Sequence, residues 1–199
     1  MTTRKIGILG GTFDPPHLGH LIIASEAKEQ CDLDQVWFMP SATPPHKSRQ
    51  VSSGKHRVAM VEEMIVDRED FEVSTIEFDR PGPSFTVDTI LQLKDEHPNV
   101  QFYFIIGGDM VDSLHTWERI ETLLNLVTFV GVKRPGYKFQ TPFIQQIQSI
   151  DTPLIDLSST MLRERFKSGK NTQYYVTKRV GKYIEVNRLY EDGTSIEDC

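Results

Sequence analysis

Cysteine, long apolar runs and excess positive charge are all scarce in this 199-residue chain, and each shortage excludes a class of protein. Two cysteines are too few for a disulfide framework. No apolar run approaches the roughly 20 residues of a membrane-spanning helix, and the first one is too short for a secretory signal. A net charge of -6 disfavours a general nucleic-acid or membrane-surface binder, which needs a broad cationic face. We therefore expect a cytoplasmic protein without nucleic-acid or membrane partners, in which any phosphate binding is local.

Short apolar runs alternate with amphipathic segments along the chain, which is typical of a parallel sheet covered by helices on both faces. Strands are predicted at residues 5–10, 35–40, 71–78, 100–107, 126–132 and 152–157. Helices are predicted at residues 18–31, 55–67, 86–96, 117–125, 159–168 and 175–187. The predicted fold is α/β and doubly wound, with a mainly parallel sheet. We expect a single domain over residues 1–199, with an acidic end at 190–199 that frays.

A glycine-rich turn follows the first predicted strand, in the sequence GGTFDPPHLGH from Gly10 to His20. Ligands of open parallel sheets bind beyond the carboxyl ends of the strands. Glycines permit unusual backbone conformations and close ligand approach, and prolines stiffen the connection. The next helix offers free N–H groups that attract anions, and His17 and His20 share one of its faces. The whole string predicts histidines that donate hydrogen bonds to phosphate, although each residue alone would suit an ordinary surface turn.

A second cluster of the same kind lies in DLSSTMLRERF, residues 156–166, where a predicted strand gives way to a helix. Ser158, Ser159 and Thr160 can cap the helix or donate hydroxyl hydrogen bonds. Arg163 lies near the helix N-terminus, where the dipole does not favour a cation, so a bound anion would explain it. An ordinary N-cap beside a solvated arginine is the alternative interpretation of this segment alone.

The two clusters resemble the paired signatures of the nucleotidyltransferase superfamily, His-x-Gly-His and Ser-Ser-Thr-x-x-Arg. They stand about 140 residues apart in the expected order, which is far more specific than either alone. The resemblance implies a Rossmann-like nucleotidyltransferase fold, and transfer of a nucleotidyl group to a phosphate with release of pyrophosphate. It implies ATP contacts at Gly10, Gly11, Thr12, Phe13, His17, His20, Ser159, Thr160 and Arg163, with His17, His20 and Arg163 as the catalytic residues.

Four further segments, at predicted strand ends or strand-to-helix junctions, contain residues that could bind the phosphate-bearing acceptor of the nucleotidyl group. They are MPSATPPHKSR (39–49), GPSFTVDT (82–89), IIGGDMVDSLHTW (105–117) and VGVKRPG (130–136). An acceptor with one phosphate and a flat ring needs cations, an aromatic side chain and backbone N–H groups. Together the segments resemble the bacterial nicotinate-nucleotide adenylyltransferases over almost the whole chain. This resemblance places the nucleotide ribose at Gly107 and Asp109.

The same resemblance implies that four residues bind nicotinate mononucleotide, through their side chains or their backbone. Trp117 would stack on the pyridine ring, and the backbone around Thr86 would receive the carboxylate. Lys47 and Arg134 would serve the phosphate region. A packing role for Trp117 and a solvated loop charge at Lys47 are the alternative interpretations.

The reaction implied by the resemblance is direct in-line transfer of the adenylyl group of ATP to the 5′-phosphate of nicotinate mononucleotide, in NAD biosynthesis. A phosphate monoester has a second pKa of about 6 and therefore needs no strong base at neutral pH. Mg²⁺ would enter mainly with ATP, because it prefers phosphate oxygens and keeps several waters, so we name no protein metal ligand. The sequence has no Cys/His metal spacing and no plausible Ser-His-Asp set, which argues against a zinc enzyme or a covalent hydrolase.

Three alternative functions remain open on the sequence alone. A pantetheine-phosphate adenylyltransferase shares both signatures, but the Pro-Pro-His-Lys loop, Trp117 and the chain length weigh against it. A non-catalytic nucleotide sensor would be expected to lack His17, His20 or Arg163, and all three are present. A fragment of a class I aminoacyl-tRNA synthetase would share the histidine spacing, but nothing resembles a tRNA-binding domain. The sequence leaves open a homo-oligomer and the degree of preference for nicotinate over nicotinamide.

Overall fold

The secondary structure is taken from a computed structural model that describes residues 3–42, 51–79, 85–133, 136–153 and 155–191. The strands are β1 (Arg4–Gly11), β2 (Gln35–Pro40), β3 (Phe71–Val73), β4 (Val100–Gly107), β5 (Thr128–Lys133) and β6 (Ile147–Asp151). The helices are α1 (Leu18–Gln30), α2 (Gly54–Ile65), α3 (Thr86–Glu96), α4 (Gly108–Asp112), α5 (Ile120–Leu126), α6 (Ser159–Lys167) and α7 (Lys178–Val186). Short 3₁₀ helices lie at Ile76–Asp79, Leu114–Thr116 and Ile144–Gln146.

The described strands form one parallel sheet in the order β3-β2-β1-β4-β5-β6. The chain winds outward from β1 in one direction and from β4 in the other. Such a reversal leaves a crevice at the carboxyl ends of the two central strands. The predicted doubly wound, parallel α/β fold is confirmed, and the crevice lies at the end of β1 that carries the glycine-rich turn.

Successive strand residues pack on opposite faces of the sheet, because side chains alternate along a strand. In β2, Val36 and Phe38 join a core cluster with α1, α2, α6 and α7, whereas Trp37 and Met39 join a second cluster with α3, α4 and α5. Both faces are therefore buried, which explains why the strands are continuously apolar.

Two of the predicted strands are wrong in position. The strand predicted at 71–78 stops at Val73, and the chain turns into a 3₁₀ helix that carries the buried Glu77 to the backbone N–H of Ala42, at 3.2 Å. The strand predicted at 152–157 is not formed by its described residues. The edge strand is instead β6, which pairs with β5. Pro153 has no N–H group for a strand ladder, so the apolar residues after it cannot extend β6 in the usual way.

The predicted helices are found, with differences at their ends. The helix predicted at 117–125 begins at Ile120, and the one predicted at 175–187 begins at Lys178 after Thr177, whose hydroxyl caps it. The short helix α4 was not predicted, because its Gly107-Gly108 start favours a turn. Residues 192–199 of the predicted frayed end lie outside the described residues. No described helix is long and apolar enough to cross a membrane.

Arg57 of α2 ties the ends of β1 and β2 together from inside the protein. Its side chain is 2% exposed. The guanidinium donates to the main-chain oxygens of Thr12 (3.1 Å), Ser41 (2.7 Å), Ala42 (3.4 Å) and Ser52 (3.1 Å). A buried cation is costly unless hydrogen bonds satisfy it, and here main-chain oxygens do so.

Replacing Arg57 by methionine should destabilise the fold by about 3 kcal/mol or more, because buried carbonyl oxygens lose their donor. The matched control is Arg179→Met on α7, since Arg179 is half-exposed and pairs with the exposed Asp67, at 3.4 Å. That control should cost less than about 1 kcal/mol. Urea unfolding of both variants measures the difference. Equal losses in the two variants would show that Arg57 does not hold the strand ends.

Candidate functional site

A cavity of about 360 Å³ opens beside the carboxyl ends of the central strands. Its volume falls in the range of small-molecule sites, roughly 300 to 1,000 Å³. The starts of α1 and α4 and the segment after β6 contribute most of its walls. The lining residues are His17, Gly19, His20, Ile22, Ile23, Gly107, Gly108, Asp109, Met110, Val132, Tyr137, Thr152, Pro153, Ile155 and Leu157.

The glycine-rich turn differs from the expectation that its glycines adopt unusual backbone conformations. Gly10 and Gly11 both lie in β1, and the residue with a positive φ is Phe13, at 53°. A Cβ on Gly11 would lie 3.0 Å from the Phe13 ring, a tighter contact than most Cβ atoms make, so glycine leaves room for that ring. Phe13 in turn packs edge-on against His20, with ring centroids 4.9 Å apart. The turn thus shapes the site through an aromatic ring as well as through its backbone.

His17 and His20 lie side by side at the start of α1, with their rings stacked at 3.7 Å. The backbone N–H of His17 donates to Nδ1 of His20, at 3.1 Å. Because Nδ1 accepts, a neutral His20 carries its proton on Nε2 and can donate from there. Nδ1 of His17 is buried without a partner among the described residues. Both rings line the cavity, as the predicted phosphate donors should.

Both histidines are neutral at pH 7 in the ligand-free protein. Burial lowers the pKa of His17 from 6.5 to about 4. Burial, reinforced by the neighbouring His17, also lowers the pKa of His20 well below 6.5. Desolvation disfavours the charged form of both rings, and the neighbouring His17 disfavours it further in His20. The pair therefore offers hydrogen bonds rather than positive charge.

The second signature contacts the first. Ser158 caps α6, and its hydroxyl accepts from the N–H of Met161 at 3.2 Å. The Ser159 hydroxyl donates to the main-chain oxygen of Pro15, at 2.8 Å. The Arg163 guanidinium donates to the main-chain oxygen of Asp14, the residue before Pro15, at 2.5 Å. The structure thus joins the two sequence signatures into one surface.

Arg163 has partners within the protein that the sequence did not suggest. Its guanidinium also donates to the hydroxyl oxygen of Thr160, at 3.1 Å, and lies 3.9 Å from a carboxylate oxygen of Asp14. The protein itself thus gives a reason for a cation here beside the predicted anion, because a buried carboxylate already faces it. The arginine side chain is 23% exposed, so it is held in place without being enclosed.

The turn after β4 forms the opposite wall of the cavity. Gly107 caps α4, and Asp109 lies in its first turn. A Cβ on Gly108 would lie 3.0 Å from the ring of Tyr137, whose hydroxyl donates to the Asp112 carboxylate. The predicted ribose residues Gly107 and Asp109 thus lie in the same cavity as the histidines.

The predicted acceptor residues are only partly described. Thr86 is the first residue of α3, where helix geometry leaves the first N–H groups without intrahelical partners. Trp117 precedes α5 and packs edge-on against Phe104 and Phe129, with centroids 5.9 and 6.0 Å away. It does not line the cavity described above. Lys47 and Arg134 lie outside the described residues.

An ion pair links the two segments that carry the described acceptor candidates, Thr86 and Trp117. Arg119, which precedes α5, pairs with Asp88 in the first turn of α3. Thr86 and Trp117 each lie two residues from one member of this pair. The backbone around Thr86 and the ring of Trp117 remain predictions for the acceptor, and the Arg119–Asp88 ion pair links the segments that carry them.

Asp14, Tyr190 and Tyr137 were missed as functional candidates by the sequence analysis. Asp14 lies inside the first signature and was available from the motif. Tyr190 lies in the acidic end that was expected to fray, and its hydroxyl donates to Asp14 at 2.6 Å. Only the folded structure brings these residues to the site. Among the described residues, no group of three or more His, Cys, Asp or Glu side chains is arranged to hold a metal ion.

Comparison with known proteins gives a family and close relatives. The family model described as cytidylyltransferase-like matches residues 8–165. A Bacillus licheniformis protein named as a probable nicotinate-nucleotide adenylyltransferase is 49% identical over 189 residues, covering 94% of this chain and 99% of the relative. A Bacillus cereus protein of the same name is 52% identical, with the same coverage of both chains.

Solved structures agree on the fold. Plasmodium falciparum nicotinic acid mononucleotide adenylyltransferase complexed with NaAD gives a TM-score of 0.79 at 20% identity, covering 94% of this chain and 97% of that chain. The same enzyme complexed with APC gives a TM-score of 0.77 at the same identity and coverage. These likenesses support the Rossmann-like nucleotidyltransferase architecture. The family model and the relatives near 50% identity show that the chain belongs to the cytidylyltransferase-like family and, within it, to the nicotinate-nucleotide adenylyltransferases.

Proposed function

We propose that this protein transfers the adenylyl group of ATP to the 5′-phosphate of nicotinate mononucleotide, giving nicotinate adenine dinucleotide and pyrophosphate. The observation that carries the proposal is the contact between the two signatures, in which Ser159 and Arg163 bond to Pro15 and Asp14. A single ligand at this junction can reach donors from both. The family membership supports the same reaction.

ATP fits the cavity between α1 and α4. Its polyphosphate would lie at the start of α1, where the helix dipole and free N–H groups favour anions. Gly10, Gly11, Thr12 and the N–H groups near Phe13 would align the phosphates. On the opposite wall, Gly107 and Asp109 would hold the ribose.

The chemical step is an in-line displacement at the α-phosphorus. An oxygen of the mononucleotide phosphate forms the new bond to phosphorus. The bond from the α-phosphorus to the bridging oxygen breaks, and its electron pair leaves with pyrophosphate. Since the attacking oxygen is already ionised, the protein needs to position the groups and stabilise charge rather than remove a proton.

Neutral histidines suit this task. Nε2–H of His20 would donate to an α-phosphate oxygen as its charge changes, and His17 would bond the neighbouring phosphate. Burial lowers both pKa values in the ligand-free protein, so both rings would meet the nucleotide as neutral donors. Ser159, Thr160 and Arg163 would bind the leaving pyrophosphate, where a fixed cation stabilises negative charge most.

For the acceptor, we propose that Trp117 stacks on the pyridine ring and that N–H groups near Thr86 bind the carboxylate. Lys47 and Arg134 complete this half of the proposed site through the phosphate region. Mg²⁺ enters with ATP, because phosphate oxygens and water are its preferred ligands. It supplies further charge neutralisation, and no protein ligand for it is assigned.

Pyrophosphate release from ATP tests the proposed function, with nicotinate mononucleotide, nicotinamide mononucleotide and phosphopantetheine offered separately. We expect release with nicotinate mononucleotide to be fastest, accompanied by the dinucleotide product. Faster release with phosphopantetheine would instead identify a pantetheine-phosphate adenylyltransferase. ATP binding with no release for any acceptor would indicate a nucleotide sensor.

Replacing His20 by alanine should lower kcat at least about 100-fold, the usual cost of losing a preorganised donor to transition-state charge. The control is His115→Ala, because His115 is exposed and its Nδ1 bonds the main-chain oxygen of Asp112 in its own segment. Steady-state kinetics at saturating ATP measure both variants. A folded His20→Ala protein with near-normal kcat would remove His20 from the catalytic set.

Replacing Trp117 by phenylalanine should reduce kcat/KM for nicotinate and nicotinamide mononucleotides by similar factors and leave ATP binding nearly unchanged. A smaller ring stacks less strongly, whereas the acid-over-amide preference would come from N–H groups near Thr86. The ratio of the two kcat/KM values is the readout. If that ratio collapses while turnover survives, Trp117 acts in selectivity and the assignment of the carboxylate to Thr86 is wrong.

A further inference from the structure

Asp14 is a buried carboxylate at the junction of the two signatures, with no role in the transfer described above. Its side chain is 1% exposed, in a protein where most carboxylates face water. An ionised carboxylate in such a place is costly unless donors surround it. Its location between the glycine-rich turn and α6 therefore requires an explanation.

The donors around Asp14 come from three separate parts of the chain. The hydroxyl of Tyr190 donates to Oδ1 at 2.6 Å. The backbone N–H of Ser52 lies 3.4 Å from Oδ2, and the Arg163 guanidinium lies 3.9 Å from the same oxygen. The carboxylate is thus fixed on one oxygen by the phenol and faces the arginine with the other.

Arg163 depends on Asp14 more than on any other described residue. The main-chain oxygen of Asp14 accepts from Nη1 at 2.5 Å, and the carboxylate contributes a favourable charge nearby. The other contact, from Nη2 to Thr160, lies within α6 itself. A guanidinium has five N–H donors, so these contacts fix its direction and leave donors for phosphate oxygens.

Tyr190 is built into this arrangement from the segment that follows α7. Its ring packs against Phe166 of α6, with centroids 5.9 Å apart, and its hydroxyl also lies 3.8 Å from the sulfur of Met60. Its φ of 70° is uncommon for a residue other than glycine. Burial, with Asp14 beside it, raises the pKa of Tyr190 far above 10, so the phenol remains a donor at every relevant pH.

We propose that Asp14 is the positioning residue for Arg163, and that the Tyr190 hydroxyl holds Asp14 in the orientation this requires. The segment after α7 thereby supports the polyphosphate site without touching the ligand. The inference rests on the proposed function insofar as Arg163 binds the ATP phosphates.

The experiment removes one oxygen atom. Tyr190→Phe keeps the ring packing and deletes the hydrogen bond to Asp14. The matched control is Tyr183→Phe on α7, whose hydroxyl bonds His56 at 2.9 Å and has no contact with Asp14. We expect Tyr190→Phe to lower kcat/KM for ATP about tenfold, the equivalent of one charge-assisted hydrogen bond, and Tyr183→Phe to change it less than about twofold. KM for the acceptor should stay unchanged in both.

A double-mutant cycle separates positioning from general stability. If Tyr190 acts through Arg163, Tyr190→Phe should cause no further loss in an Arg163→Ala background. The affinity for ATP, measured by calorimetry below the unfolding transition of each variant, should show the same non-additivity. Asp14→Asn, which keeps the main-chain acceptor and weakens the carboxylate contact, should resemble Tyr190→Phe. If Asp14→Asn does not fold, the Tyr190 cycle still decides.

Equal losses from Tyr190→Phe in both backgrounds, or no loss in either, would overturn the positioning role. These outcomes differ from failure of the proposed function, in which the native protein makes no dinucleotide from nicotinate mononucleotide. In that case the calorimetric cycle with ATP alone still tests Asp14. Wild-type ATP affinity in Arg163→Ala would refute both the phosphate role of Arg163 and the positioning role of Asp14.

Discussion

The hydrogen bond from Arg163 to the main-chain oxygen of Asp14 joins residues that are 149 positions apart in the chain. One partner belongs to the turn after β1 and the other to α6, which packs on the same face of the sheet. The bond can form because the strand order reverses between β1 and β4, leaving the end of β1 open to helices that arrive later in the chain. Without that contact, the start of α1 and the start of α6 would be two separate parts of the surface. With it, the two helix starts form one surface, the proposed polyphosphate site.

The proposed anion site is local, in a chain whose net charge is -6. It has little positive charge at the start of α1. The two histidines there are buried and neutral, so they would contribute directional hydrogen bonds, which are stronger in a low-dielectric site than in water. The fixed charge comes from Arg163, whose direction is set by groups of the protein itself. Neutral histidine donors together with one fixed cation suit a reaction whose nucleophile is already ionised.

The sequence predicted those parts of the site that are local in the chain. GGTFDPPHLGH and SSTMLR each lie on one turn, so each is visible as a local motif, and their resemblance to the paired signatures gave their predicted roles. The strand predicted at 152–157 failed because apolar content is shared by strands and cavity walls, and here Ile155 and Leu157 line the cavity. The hydrogen bond from Tyr190 to Asp14 spans 176 positions, and the sequence around neither residue predicts the other as its partner. The sequence could not predict the packing of Trp117 on Phe104 and Phe129 either, since that packing follows from the tertiary fold.

Nitrogen-15 NMR of the imidazole groups measures most directly whether the phosphate site presents neutral donors. The structure requires His20 to carry its proton on Nε2 and to keep that form from about pH 6 to about pH 8, as neutral His17 does beside it. Constant nitrogen shifts, with an unprotonated Nδ1 in His20, are the predicted result. Titration of either ring with a pKa near 6.5 would show that the ligand-free site presents cations, and the transfer would then have to use charged rather than neutral histidines.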